Sequence, residues 1–156
     1  MSVLERLQDL PVFVTISESG SIWGYPTILV LHTAGLALTV GSAVVLNARL
    51  LGLGRSAPLS AFGLLFPILW VGFSVNAISG FILFAIAATA KAAQAIFWIK
   101  LSLVALALLV TAPLARIVRH HGQPGAVPVH VRVLAVVSLA AWASAIVAGR
   151  MMAYIR

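Results

Sequence analysis

Four apolar runs, each long enough to cross a lipid bilayer, constrain this chain more than any other feature of its sequence. A transmembrane helix needs about 20 consecutive apolar residues, whereas the strands of a membrane barrel alternate over about 10 residues. The runs are long and continuous, so they predict helices at about 22–50, 61–88, 94–120 and 131–154. We therefore expect an all-α protein, a four-transmembrane-helix antiparallel bundle that forms a single integral membrane domain over residues 1–156.

The composition excludes several classes of protein. Hydrophobic residues make up 62% of the chain and charged residues 8%, against about 25% charged residues in soluble domains. The net charge of +7 is spread over loops and helix ends, so it does not form the basic face of a nucleic-acid-binding domain. The chain has no cysteine, which excludes disulfides, thiolate metal sites and cysteine nucleophiles.

The N-terminal segment 2–18 predicts a short amphipathic helix at the membrane interface, because its apolar residues recur near helical spacing. A partly ordered tail is the alternative. Pro11 is expected to interrupt or end that helix. The charges of Glu5, Arg6 and Asp9 exclude the apolar core of a signal peptide, so we expect the first span to be retained.

The distribution of basic residues predicts the orientation. One end of the bundle carries basic residues and no acid, namely Arg49, Arg55, Arg116, Arg119, Arg132, His120, His121 and His130. The other end carries all three acids together with Arg6, Lys91 and Arg156. Because cytoplasmic loops are enriched in Lys and Arg, we expect a multi-pass protein of the bacterial inner membrane with both termini outside, in the periplasm.

Three ionisable residues, His32, Lys100 and Arg150, lie within the apolar runs. A Lys or Arg at mid-membrane costs roughly 2.5–3.5 kcal/mol, so such a residue is a candidate for function. A rise of about 1.5 Å per residue places His32 roughly 9 Å below the outer end of its helix. Lys100, Arg150 and Asn76 lie at a similar depth, so we predict a ligand- or cofactor-binding layer formed by His32, Asn76, Lys100 and Arg150.

Small and polar residues share one face on each predicted helix, which is typical of packing inside a membrane bundle. These faces comprise His32, Gly35, Thr39 and Ser42, then Gly72, Asn76 and Gly80, then Lys100, Ala107 and Thr111, and finally Ser138, Trp142, Ala145 and Gly149. Arg150 lies about 100° from Gly149 around its helix, so it is expected to face a groove or the lipid headgroups.

Each of these residues also has a purely structural interpretation. Lys100 and Arg150 lie shallow enough to extend toward the headgroups. Asn76 is a candidate for a hydrogen bond between helices, and His32 for a packing role with its ring hydrogen-bonded. The three histidines around residues 120–130 are expected to be solvated; a metal site there is the alternative, although no carboxylate accompanies them.

The three carboxylates of the chain all precede residue 19, so we predict no catalytic residues and no catalytic activity of the chain on its own. The predicted function is that of a small accessory or structural subunit of a larger membrane complex, with an outer-leaflet polar cluster able to hold a cofactor or lipid. A redox role of that complex is left open. Its expected partners are membrane lipids and other membrane subunits or a second copy of the chain, with Phe81 and Phe84 as docking residues.

Two other functions remain open. The first is electron transfer with haem b or a quinone, in which His32 ligates iron and Lys100 and Arg150 pair with propionates or a quinone oxygen. A second axial ligand is missing at that depth, so Met151, Met152 or a partner chain would have to supply it. The second is transport of a small solute or ion, although transport pathways place ionisable groups at several depths.

Several short motifs resemble those of an uncharacterised family of small bacterial four-helix integral membrane proteins. They are Tyr25-Pro26, Leu31-His32-Thr-Ala-Gly35, Leu46-Asn-Ala-Arg49-Leu-Leu-Gly52, Phe97-Trp-Ile-Lys100 and Gly149-Arg150 with Tyr154. The chain has Asn47 where the family pattern has Asp. The resemblance implies a four-helix fold and a shared importance of His32, Arg49, Lys100 and Arg150, and it implies no activity.

Overall fold

A computed structural model describes residues 2–54, 56–120 and 127–154, without the side chains of Leu59, Ala115, Arg116, Arg119 and His120. These parts of the chain are helices and turns without a strand. The helices are α1 (Val3–Gln8), α2 (Pro11–Glu18), α3 (Tyr25–Leu51), a 3-10 helix (Leu59–Leu64), α4 (Leu65–Ala85), α5 (Ala88–Ala93), α6 (Ala95–His120) and α7 (Val129–Met151).

Four of these segments are long and apolar enough to span a membrane: α3, the 3-10 helix continued by α4, α6 and α7. They form an antiparallel bundle in which α3 packs on α4, α6 on α7, and α3 on α7. The prediction of an all-α, four-transmembrane-helix bundle is confirmed, and the chain is a multi-pass membrane protein in contact with lipid. The half of the bundle in which α3 begins and α7 ends is here called the terminal half. The opposite half, where α3 ends and α7 begins, is called the loop half.

The helix ends follow local signals. Pro26 lies in the first turn of α3, where its missing N–H is not needed. Gly52 ends α3 with φ 108°, a left-handed conformation that favours glycine. The predicted second helix is three residues too long at its C-terminus, because α4 ends at Ala85. Residues 88–93 form the short helix α5 instead of an irregular connection.

The N-terminal segment forms two short helices rather than one. Pro11 is the first residue of α2, so it begins a helix after α1 has ended. Helix α1 is capped by Ser2 and Glu5, since the Glu5 backbone N–H donates to Ser2 Oγ at 3.2 Å. It is held against α5 because Thr89 Oγ1 donates to Gln8 Oε1 at 2.9 Å. The helical interpretation of this segment is therefore the one observed.

The closest helix contact in the bundle lies between α3 and α4. A Cβ atom on Gly35 would lie 2.7 Å from the backbone nitrogen of Asn76 and 2.8 Å from the carbonyl oxygen of Gly72. A Cβ atom on Gly72 would lie 2.9 Å from the carbonyl oxygen of Gly35. Real Cβ atoms do not approach so closely, so both glycines are needed for this crossing.

The α3/α4 and α6/α7 hairpins are joined along α3 and α7. Asn47 Nδ2 donates to Ser138 Oγ at 3.0 Å, and both residues are buried. Apolar side chains fill the loop half around this bond. The buried members are Ala43, Leu46, Leu50, Phe66, Leu69, Ala107, Val110, Leu114, Val118, Val131, Ala135, Ala141 and Trp142. The loop half is therefore a closed core, and Trp142 is the cluster member that also lines the cleft described below.

Alanine at Gly35 or Gly72 is expected to lower the free energy of unfolding by about 1–3 kcal/mol, because the added methyl group overpacks the α3–α4 contact. Equilibrium unfolding in mixed dodecyl maltoside and dodecyl sulfate micelles measures this change. Gly41→Ala is the matched control, since a Cβ atom there meets nothing within 4 Å. Equal stability of all three variants would contradict the contact.

Candidate functional site

A cleft separates the two hairpins in the terminal half of the bundle. Most members of the hydrophobic clusters lie in the loop half, and the backbones of α4 and α6 stay apart beside the cleft. The cleft has two adjoining lobes with volumes of about 340 and 390 Å³, within the range of small-molecule sites. Both lobes are lined by His32, Phe73, Asn76, Lys100 and Val104.

The first lobe, here called the polar lobe, contains all four residues predicted to bind a ligand. Its other walls come from α3 and α7 and comprise Thr33, Leu36, Thr39, Trp142, Ala145, Ile146 and Gly149. The structure thus places His32, Asn76, Lys100 and Arg150 around one cavity. Their role in binding a ligand stays a prediction.

His32 is half-buried and held in a fixed orientation by α4. Its Nδ1 lies 3.0 Å from the carbonyl oxygen of Asn76 and 3.2 Å from Ser79 Oγ. A carbonyl oxygen only accepts, so we assign the ring proton to Nδ1. This assignment leaves a lone pair on Nε2.

Asn76 positions His32 as well as joining two helices. Its side-chain Nδ2 donates to the backbone carbonyl oxygen of His32 at 2.7 Å. Its backbone carbonyl oxygen accepts from Nδ1 of the His32 ring. The interpretation of Asn76 as an interhelical hydrogen-bonding residue therefore holds. Gly80 completes the arrangement, because a Cβ atom there would lie 3.0 Å from His32 Cε1.

Lys100 of α6 lies against α7, the other helix of its own hairpin. A Cβ atom on Gly149 would lie 3.5 Å from Lys100 Cε and 3.7 Å from Nζ. The half-buried lysine chain therefore lies along the small surface of Gly149, with its ammonium group at the cleft. All three carboxylates of the chain precede residue 19, and none lines either lobe within the described parts of the chain.

Arg150 lies at the rim of the polar lobe and is exposed. Its guanidinium carbon is 5.7 Å from the centroid of the Tyr154 ring, which is a cation–π distance. This position agrees with the expectation that Arg150 faces a groove or the headgroups rather than the bundle centre. The lobe thus has one cation inside it and one at its mouth.

Trp142 is the residue that the sequence did not single out as a ligand-binding candidate. It lines the polar lobe with only 2% of its surface exposed. Its buried indole Nε1 has no hydrogen-bond partner within the described structure. An unpaired buried donor costs about 1–3 kcal/mol. Helical spacing with Ser138 and Gly149 indicated that Trp142 faces inward, but spacing carries no information about an unpaired N–H.

Other predicted residues lie away from the cleft. Arg49 is at the opposite end of α3, where its Nε and Nη2 donate to the carbonyl oxygen of Ala57 at 3.1 and 2.9 Å; it stabilises the first loop. His130 is exposed at the start of α7. Six further charged or histidine side chains considered at the helix ends lie outside the described part of the structure, namely Arg55, Arg116, Arg119, His120, His121 and Arg156.

The two phenylalanines predicted as docking residues make contacts within the chain. Phe84 stacks on Phe97 with ring centroids 5.0 Å apart. Phe81 meets Phe13 of α2 edge to face, with centroids 6.4 Å apart. Both also line the second lobe of the cleft, and Phe81 keeps 55% of its surface exposed. Their docking to another chain stays a prediction.

The polar lobe is therefore lined by two cations, by Trp142, whose buried N–H is unpaired, and by an imidazole held in a fixed orientation. Donors and positive charge of this kind bind the oxygen atoms of an anion. Within the described residues, no three His, Cys, Asp or Glu side chains come together as a metal site.

No family model matches this chain, and no curated protein or solved structure is significantly similar to it. The resemblance in short motifs therefore stands without a supporting match, and the function has to be inferred from the cleft.

Proposed function

We propose that this protein is an accessory subunit of a membrane complex, and that its polar lobe binds the oxyanion head of an anionic membrane ligand. One observation carries the proposal: Lys100, Arg150 and Trp142 line one lobe without a carboxylate beside them in the described parts of the chain, and the buried Trp142 N–H has no hydrogen-bond partner there. Charges removed from water without a counter-ion are costly. A bound phosphate or carboxylate supplies that charge and also accepts the indole hydrogen bond.

An anion fits this lobe better than a neutral quinone. A quinone oxygen accepts hydrogen bonds from the same donors, but it leaves two cations without a counter-charge. Hydrogen bonds between charged groups are stronger, about 1.5–3 kcal/mol each.

The cleft also favours binding over transport. It occupies the terminal half only, and the loop half below it is filled by closely packed apolar side chains. Its ionisable residues stay at one level, whereas a transport pathway places them at several depths. A binding site confined to one depth in the membrane suits a subunit that holds a lipid or cofactor for a larger membrane complex.

The oxyanion proposal predicts that Lys100→Gln weakens binding of dodecyl phosphate by about 10–100-fold, the equivalent of one charge-assisted hydrogen bond. Arg150→Gln is expected to weaken it less, because Arg150 is exposed. Trp142→Phe removes the unpaired donor and is expected to weaken binding several-fold. Isothermal titration of purified protein in dodecyl maltoside measures these affinities.

Lys91→Gln is the matched control for this titration, since Lys91 belongs to α5 and lies outside both lobes. It is expected to bind dodecyl phosphate as the wild type does. An affinity of wild type no higher than that of Lys100→Gln would contradict the proposal. Isolation in mild detergent without any second membrane chain would contradict the subunit role alone.

We propose that the cleft faces the periplasm of a bacterial inner membrane, because the loop half carries the basic residues that the positive-inside rule assigns to the cytoplasm. The absence of cysteine from the chain makes labelling direct. We expect a membrane-impermeant maleimide to label Ser17→Cys on intact spheroplasts and Ser56→Cys only after lysis. Both positions are exposed. The reverse labelling pattern would place the cleft in the cytoplasmic leaflet.

Haem b is a second candidate, and the orientation of His32 favours it. A histidine whose Nδ1–H donates to a backbone carbonyl presents Nε2 to a metal in the manner of many metal-binding histidines. The propionates of a haem are oxyanions that would pair with Lys100 and Arg150. The second axial ligand would come from Met151, Met152 or a partner chain, because the other fully described histidine, His130, begins α7 at the opposite end.

The haem hypothesis predicts a Soret band in protein purified in mild detergent. His32→Ala is expected to remove the band, because it removes the iron ligand. His130→Ala is the matched control and is expected to keep it. A colourless wild-type protein would exclude haem while leaving the oxyanion proposal intact.

A further inference from the structure

We infer that the second lobe of the cleft holds the apolar tail of the same ligand, and that the ligand is a long-chain anionic amphiphile taken from the bilayer. This inference rests on the proposed binding of its head in the polar lobe. The second lobe is here called the aromatic lobe, and it lies between α4 and α6. Its walls beyond the shared residues are Ala77, Gly80, Phe81, Phe84, Phe97, Trp98 and Leu101.

The aromatic lobe is covered on the side of the terminal end. Phe84 of α4 and Phe97 of α6 stack across it, with ring centroids 5.0 Å apart. Phe97 in turn meets Trp98 edge to face at 5.3 Å, and Trp98 Nε1 donates to the carbonyl oxygen of Ala92 at 3.0 Å. Helix α2 adds Phe13 against Phe81. Water therefore meets an aromatic cover at this end.

The side of the aromatic lobe between α4 and α6 is open. The backbones of these two helices stay apart, although the Phe84 and Phe97 rings meet at the terminal end of the lobe. The residues between them include the exposed apolar side chains of Phe81, Trp98 and Leu101. In a membrane this side faces hydrocarbon, since it lies along two spanning helices. Apolar chains enter such an opening from lipid without crossing water.

The two lobes are adjacent, which connects the tail to the head. Lys100 lines both of them, together with His32, Phe73, Asn76 and Val104. A ligand whose oxyanion meets Lys100 therefore has its first methylene groups at the boundary between the lobes. The polar lobe beyond that boundary is lined by Arg150 and by Trp142, whose buried N–H has no partner, whereas the walls peculiar to the aromatic lobe are apolar. The tail is thus expected in the aromatic lobe.

The direct test is photo-crosslinking with dodecyl phosphate that carries a diazirine midway along its alkyl chain, in phosphatidylcholine nanodiscs. We expect the label, mapped by mass spectrometry, on Ala77, Phe81 or Leu101 and not on Ile78 or Ile99. Ile78 and Ile99 are exposed on the same two helices but line neither lobe. Unlabelled dodecyl phosphate and Lys100→Gln should each reduce the label at least fivefold.

Labelling that competes with unlabelled ligand but maps to Thr33 or Ile146 would overturn this inference, because the tail would then leave between α3 and α7. That result would leave the proposed binding of the head intact. Labelling that neither competes nor responds to Lys100→Gln would instead overturn the proposed function itself. The two failures are therefore distinguishable in one experiment.

Narrowing the opening gives an independent check. Ala77→Trp and Leu101→Trp are expected to reduce competed labelling at least fivefold, since both fill the gap between α4 and α6. Ile78→Trp and Ile99→Trp are the matched controls and should label as the wild type does. Equal labelling of all four variants would contradict entry of the ligand through the gap between α4 and α6.

Discussion

The arrangement of this bundle depends on the close contact of α3 and α4 at Gly35 and Gly72. The backbones touch there, because each glycine lies where a Cβ atom would clash with the backbone of the other helix. Only at such a distance can Asn76 Nδ2 reach the carbonyl oxygen of His32 while the His32 ring reaches the carbonyl oxygen of Asn76. The contact thus fixes both the hairpin and the orientation of the imidazole.

The cleft follows from an uneven distribution of side-chain volume. Large apolar residues and the Asn47–Ser138 hydrogen bond close the loop half of the bundle. In the terminal half, glycines stand beside His32 and Lys100, and α4 and α6 diverge. Charges in such a cavity are unfavourable when alone, so an anionic ligand would stabilise the folded protein as well as occupy it. Binding and stability would therefore be linked in this protein.

Sequence periodicity predicted much of this fold. The four spans and the buried positions Thr39, Ser42, Thr111 and Ser138 follow from hydrophobic run length and helical spacing. The grouping of His32 with Lys100 followed from helix rise alone. The division of the N-terminal segment into the two helices α1 and α2 did not follow from periodicity. Pro11 is compatible both with the end of one helix and with the first turn of the next.

Other features depend on tertiary packing and could not be read from spacing. The unpaired N–H of Trp142 is a property of its neighbours on α3 and α6, not of α7. The opening between α4 and α6 depends on how far two hairpins separate, which no local pattern determines. The contact of Phe84 with Phe97 likewise joins residues on different helices, so spacing along one helix does not reveal it.

The central claim is that an oxyanion lies between Lys100, Arg150 and Trp142. A cryo-EM map of the protein extracted with its native lipids, enlarged by a bound antibody fragment, tests it most directly. We expect head-group density within hydrogen-bonding distance of Lys100 Nζ and Trp142 Nε1. A map in which the polar lobe is empty, with Lys100 directed away from Gly149 into the headgroup region, would contradict the account.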